Sequence, residues 1–286
     1  MLIQKYLTPI KITTNNLQYG ACMYNLIGLD ELSHRSKNRI KILGEVFTPE
    51  SYVEDMLNIL SKDNKNIWSD ENIIFFEPNC GHGNIVIQIY KKRLEAIYKK
   101  SLYLGIRKAT FNAIANAINT LWAIDIDSNN IIQCQSRVIK ATFEFLKKKL
   151  GIENELRIIK QEQDFISHLL CAIKWSIHEN ETLSALSNKD TAGKNAIKTK
   201  AGNKWFKKNG HHPIDYELCW AKYFTNCLTK NSIPIVYKRA NHCVNKILIG
   251  KSNDFDEFKF AKDLFCQDKL TCDTYKGSNK NQRRQL

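Results

Sequence analysis

The chain has 286 residues, with 43 Lys and Arg against 29 Asp and Glu, a formal net charge of +14. Its 43% of apolar residues excludes wholesale disorder, and no apolar run approaches the ~20 residues that a membrane helix needs. The N-terminal stretch lacks the apolar core of a signal peptide, so a cytoplasmic protein is expected, and the excess positive charge favours a polyanionic partner, chiefly nucleic acid. Nine cysteines, none in a C-x-x-C pair, read as reduced and mostly buried thiols.

Residues 1–40 read as a small helical lead-in. Thr48-Pro49-Glu50 suits a helix start, with Thr as cap and Pro at the first helical position, and Val53, Met56, Leu57 and Leu60 follow at helical spacing. The run from Ile73 to Phe76, closed by Glu77-Pro78, reads as a buried parallel strand. Helices are expected from about Asn84 and over 101–118. Leu121 to Ile124 is the second strand, closed by Asp125, and Ile131 to Leu150 the next helix, stopped by Gly151 after three lysines. Leu156 to Lys160 reads as a third strand, with Asp164-Phe165 beyond its end. Alternation of this kind predicts an α/β fold with a mostly parallel sheet. Leu169, Leu170, Ile173 and Ile177 stand at helical spacing, and a helix is expected over 215–229. The expected organisation is a core over 41–185 followed by a basic region over 186–286, expected to complete the sheet and contact DNA.

Four segments fall where ligands bind in open parallel sheets, at strand ends. They are Gly44 to Pro49, Glu77 to Asn84, Asp125 to Asp127, and Asp164-Phe165. Gly81 and Gly83 let a ligand approach the backbone at the start of a helix. A carboxylate at Asp125 can accept ribose hydroxyls, and Asp164 can accept from an adenine amino group while Phe165 packs on the ring. Taken singly, the glycines also suit a plain strand-to-helix turn, and each Asp also suits a helix cap.

Together the segments Phe47-Thr48-Pro49, Glu77 to Asn84, Ala123 to Asp127 and Asp164 to Ile166 resemble the S-adenosylmethionine-dependent N6-adenine DNA methyltransferases of restriction–modification systems. The resemblance covers about residues 43–170. It implies a Rossmann-like sheet with helices on both faces, S-adenosylmethionine as cofactor, double-stranded DNA as partner and a possible restriction–modification partner subunit. It also implies a cofactor site made of Phe47, Thr48, Pro49, Glu77, Pro78, Asn79, Cys80, Gly81, Gly83, Asn84, Asp125, Ile126, Asp164 and Phe165. His82 stands where that family has Ser or Thr. None of the five prolines adjoins another, so the family's N-P-P-Y-type catalytic motif is absent and no catalytic residue is assigned. The alternative is a non-catalytic cofactor- or DNA-binding relative.

His211, His212, Cys219, Cys227, His242 and Cys243 match no zinc spacing, so no metal is expected. The lysine-rich stretch from Lys189 to Lys208 can follow a phosphate backbone while Trp205 and Phe206 stack bases, or it is a solvated loop with two core aromatics.

Overall fold

The computed structural model describes residues 48–62, 64–186, 199–249 and 272–274. The helical lead-in expected over 1–40, Phe47, and the lysines at 189, 194 and 198 lie outside the described residues.

Helix α1 (Glu50–Lys62) starts where the Thr-Pro-Glu signal places it. Strand β1 (Phe75–Glu77) leads through the glycine loop into α2 (Asn84–Ser101). A short turn of helix and Gly105, at φ +86°, separate α2 from α3 (Ile106–Asn119). Strand β2 (Leu121–Asp125) is followed by α4 (Ser128–Leu150), where Asp127 caps by accepting from Asn129 N and Gly151 closes in the left-handed region.

The expected third strand is a helix. Residues Glu155–Gln161 form α5, capped by the Asn154 side chain, which accepts from Arg157 N. Three apolar residues are too few to distinguish a period of 2 from one of 3.6, and the cap decides. Helix α6 (Gln163–Ser176) follows at once, so Asp164 and Phe165 sit in a first helical turn and not beyond a strand. The third strand, β3 (Ile177–Glu179), comes later. Ile177 continues the helical spacing of α6 in sequence, but it leaves the helix because pairing with β2 buries it completely. Further along the chain come α7 (Lys200–Asn209), α8 (Trp220–Thr229), β4 (Ser232–Pro234), α9 (Ile235–Leu248) and β5 (Cys272–Thr274).

The sheet is parallel, in the order β1-β2-β3, with Phe75 opposite Leu121 and Ala123 opposite Ile177. Strands β4 and β5 do not extend it; they pair antiparallel with each other. Right-handed crossovers that step twice in the same direction deliver their helices to one face. Accordingly Phe75, Leu121, Ala123 and Ile177 share the main core with helices α2 to α6, and α8 and α9 pack into the same core through Trp220, Phe224, Val236 and Val244. Among the described residues, the expected cover of helices on the second face is not seen. The second face, with Phe76, Trp122 and Ile124, is covered by Ala185, Ile214 and Tyr216 from irregular segments and by Trp175 at the end of α6. Buried on both faces, β2 is apolar from Leu121 to Ile124, which is why it was readable. No helix among the described residues is long and apolar enough to cross a membrane.

Two histidines make this core sensitive to acid. His168 packs among Trp220, Phe224 and Tyr237, and its Nδ1 accepts from Trp220 Nε1 at 3.2 Å. His178 lies against Trp122 and donates from Nδ1 to Trp175 O at 2.9 Å. Burial pushes each imidazole down from 6.5 to about 4. The unfolded chain therefore binds more protons between those values, and stability falls as pH drops from 6.5 towards 4. Urea midpoints measured across that range should fall steadily, and His168→Phe should flatten the profile.

Candidate functional site

The carboxyl ends of β1 and β2 are joined by the glycine loop. Cys80 N donates to Ile124 O at 2.9 Å, laying the loop along β2. Gly81 N then donates to Asp125 Oδ2 at 2.9 Å. Asp125 Oδ1 accepts from Asp127 N at 2.8 Å and from Asn130 Nδ2 at 3.2 Å. The carboxylate is thus a clasp between two strand ends and the start of α4, and the residue is only 8% exposed. Burial raises its pKa, against the three donors, which lower it. A carboxylate offers about four acceptor positions, so three donors leave room for one further hydrogen bond.

Gly81 and Gly83 both have positive φ, +51° and +86°. Their surroundings differ. A methyl group at Gly81 would meet nothing within 4 Å, whereas at Gly83 it would lie 2.5 Å from Cys134 Sγ. Gly83 serves the packing of the loop on α4, and Gly81 leaves a backbone that a ligand can approach. Gly83 also caps α2, whose first turn carries no acidic side chain, so the free N–H groups of that helix end favour an anionic group. Cys80 is buried and hydrogen-bonded to Cys134, which raises its pKa, and it stays a protonated thiol rather than a nucleophile.

Further side chains hold the loop. Arg137, on α4, donates from Nη1 to His82 O at 2.9 Å and to Asn84 Oδ1 at 2.6 Å. Asn84 Nδ2 donates to Thr48 O at 3.3 Å, which brings Thr48-Pro49 to the loop. Glu77, at the end of β1, accepts from Asn79 N at 3.2 Å, and burial raises its pKa. Ile126, half-buried, follows the clasp.

Three of the four predicted segments therefore meet at one edge of the sheet: Thr48-Pro49, Glu77 to Asn84, and Asp125 to Asp127. The fourth has other partners. Asp164 Oδ1 accepts from Tyr237 Oη at 3.3 Å and from Asn241 Nδ2 at 3.4 Å, both on α9. Phe165 packs edge-on against Phe111, with ring centroids 4.6 Å apart. Both residues serve the helical layer, and none of their interactions reaches the glycine loop.

The end of β3 contributes instead, and periodicity gave no signal for it. Asn180 N donates to Asp125 O at 3.1 Å, and Asn180 Nδ2 to His212 O at 2.9 Å. Thr182 Oγ1 donates to Pro78 O at 2.9 Å, within reach of Asn79 Oδ1 at 3.1 Å. Because the strand order steps one way throughout, the site lies at adjacent strand ends and not where the order reverses, among the described residues. Of the two readings of Trp205, base stacking or core, its 9% exposure on the buried side of α7 fits the core residue.

Compared with known proteins, the chain matches no family model, no curated protein and no solved structure at significance.

Proposed function

We propose that the chain binds S-adenosylmethionine over the glycine loop and acts on DNA as a methyltransferase-like protein of the N6-adenine type, with its three strands as half of a Rossmann-like sheet. The observation that carries this reading is the 2.9 Å bond from Gly81 N to Asp125 Oδ2, which couples the glycine loop to the acid of the next strand. The fit is partial but specific. The open backbone at Gly81 and the unpaired N–H groups at the start of α2 suit the anionic methionine end. Asp125 retains one acceptor position for a ribose hydroxyl, and half-buried Ile126 stands beside it to pack on the base. Bound there, the cofactor supplies an electrophilic methyl group; the chain's own residues orient it.

A second reading, a non-catalytic relative, is favoured by the turn after β3. Asn180 is the polar residue at that strand end, but its Nδ2 is given to His212 O and its Oδ1 accepts from Glu181 N at 2.8 Å. No proline or aromatic residue adjoins it. Calorimetry with S-adenosylmethionine should show one site, and absence of heat at millimolar cofactor rejects both readings in their cofactor-binding form. Labelled methyl transfer to unmethylated genomic DNA then separates them: label in DNA rejects the non-catalytic reading, and binding without transfer rejects the enzyme.

A further inference from the structure

The net charge of +14 does not say where a polyanion would lie. Helix α7 does. It is ten residues long, and Lys200, Lys204, Lys207 and Lys208 are all exposed. At 100° per residue these four project within an arc of about 100°, while the opposite side buries Gly202 and Trp205. The helix has no acidic residue, and none of the four lysines forms an ion pair among the described residues. Lys207 and Lys208 also favour the helix end through its dipole, but Lys200 and Lys204 do not lie in that turn. The stripe is thus an unneutralised row on an anchored helix. Lys200 and Lys208 stand about 12 Å apart along the axis, the rise of three to four phosphates of one DNA strand.

Its position is set by hydrogen bonds. Ser184 Oγ donates to Gly210 O, directly after α7, at 3.1 Å, and His212 N donates to Ser184 Oγ at 2.9 Å. Two residues before Ser184, Thr182 bonds Pro78 of the glycine loop. The end of α7 is therefore tied through Ser184 and Thr182 to the strand ends that carry the candidate site.

We propose that Lys200, Lys204, Lys207 and Lys208 form the surface on which the phosphate backbone of duplex DNA docks beside the glycine loop. This rests on the reading of DNA as the partner, and it narrows that reading to one helix face. Trp205 fixes the helix from behind and takes no part in stacking.

The test uses the full chain and a 20-base-pair duplex of arbitrary sequence, followed by fluorescence anisotropy between 50 and 200 mM salt. The variant K204Q/K207Q/K208Q should bind at least tenfold more weakly at 100 mM salt, on the order expected for three lost phosphate contacts, and its slope of log affinity against log salt should be shallower by about 2.7. A control with the same charge change at exposed sites on other helices, K91Q/K99Q/K160Q, should stay within about threefold, because screening limits remote charges to about 10 Å. Should the triple variant fold poorly, K208Q alone is expected to reduce the slope by about 0.9. Equal losses in variant and control overturn the proposal, as does unchanged binding in the variant. Tighter binding of single-stranded RNA or of heparin than of the duplex overturns the assignment to DNA. If calorimetry shows no S-adenosylmethionine binding while the lysine dependence holds, the cofactor reading fails and this surface stands. If the unaltered chain binds no duplex, the partner reading fails and takes the surface with it.

Discussion

Replacing Gly83 by alanine should destabilise the chain by about 3 kcal/mol, while the same change at Gly81 should cost only about 1 kcal/mol. Both positions have positive φ, and an L-residue there pays roughly 1–2 kcal/mol of backbone strain. Only Gly83 adds a steric conflict. Its new methyl would lie 2.5 Å from Cys134 Sγ and 3.3 Å from the Cys134 backbone, on a helix that the main core holds in place. Overpacking of this kind costs roughly 1–3 kcal/mol. Urea unfolding followed by far-UV circular dichroism measures the difference. Gly83→Ala combined with Cys134→Ala should recover part of the loss, because Sγ is removed while the Cys134 Cβ, at 3.1 Å, remains. Equal costs at the two glycines would refute this division of labour. The ligand-binding consequence runs the other way: Gly81→Ala should fold normally yet weaken S-adenosylmethionine binding, since its methyl occupies the open space above the loop.

The glycine loop and the β2 acid were legible because their chemistry is local. Two glycines between a strand and a helix signal an unusual backbone, and a fully buried strand such as Leu121 to Asp125 cannot hide among polar residues. The third strand was not legible, because what makes it a strand is not in it. Ile177-His178-Glu179 has one apolar residue, and its extended backbone is selected by pairing with Ala123 to Asp125. The reverse error at Leu156 to Lys160 has the same origin. Ile158 and Ile159 favour a strand in isolation, but the Asn154 cap and burial on the helical side override them. Misplacing that strand carried Asp164 and Phe165 into the site, and kept Asn180 and Thr182 out of it. Likewise the lysine-rich stretch was visible as charge, but which lysines share a face, and that Trp205 points inward, follow only once α7 is formed.

Asp125→Ala should cost about 3 kcal/mol and Asp125→Asn about 1–2 kcal/mol. Alanine leaves Gly81 N, Asp127 N and Asn130 Nδ2 without their acceptor, and a buried donor left unpaired costs roughly 1–3 kcal/mol, less where water reaches it. Asparagine keeps one oxygen but turns an amide donor towards a second N–H. The pH dependence of the Asp125→Asn cost identifies the carboxylate. Burial raises the native pKa of Asp125 above its unfolded value, so between the two values the folded chain holds the extra proton. Its contribution to stability is then fully present below about 3.9 and declines as pH rises through the raised native value. The difference between the parent chain and Asp125→Asn should therefore be larger at pH 4 than at pH 7. That trend opposes the acid sensitivity from His168 and His178, but both histidines are present in the two proteins and cancel in the difference. A difference that grows with pH would mean that the three donors outweigh burial. Asp125 would then be a fully stabilised structural carboxylate with little capacity left for a ribose hydroxyl.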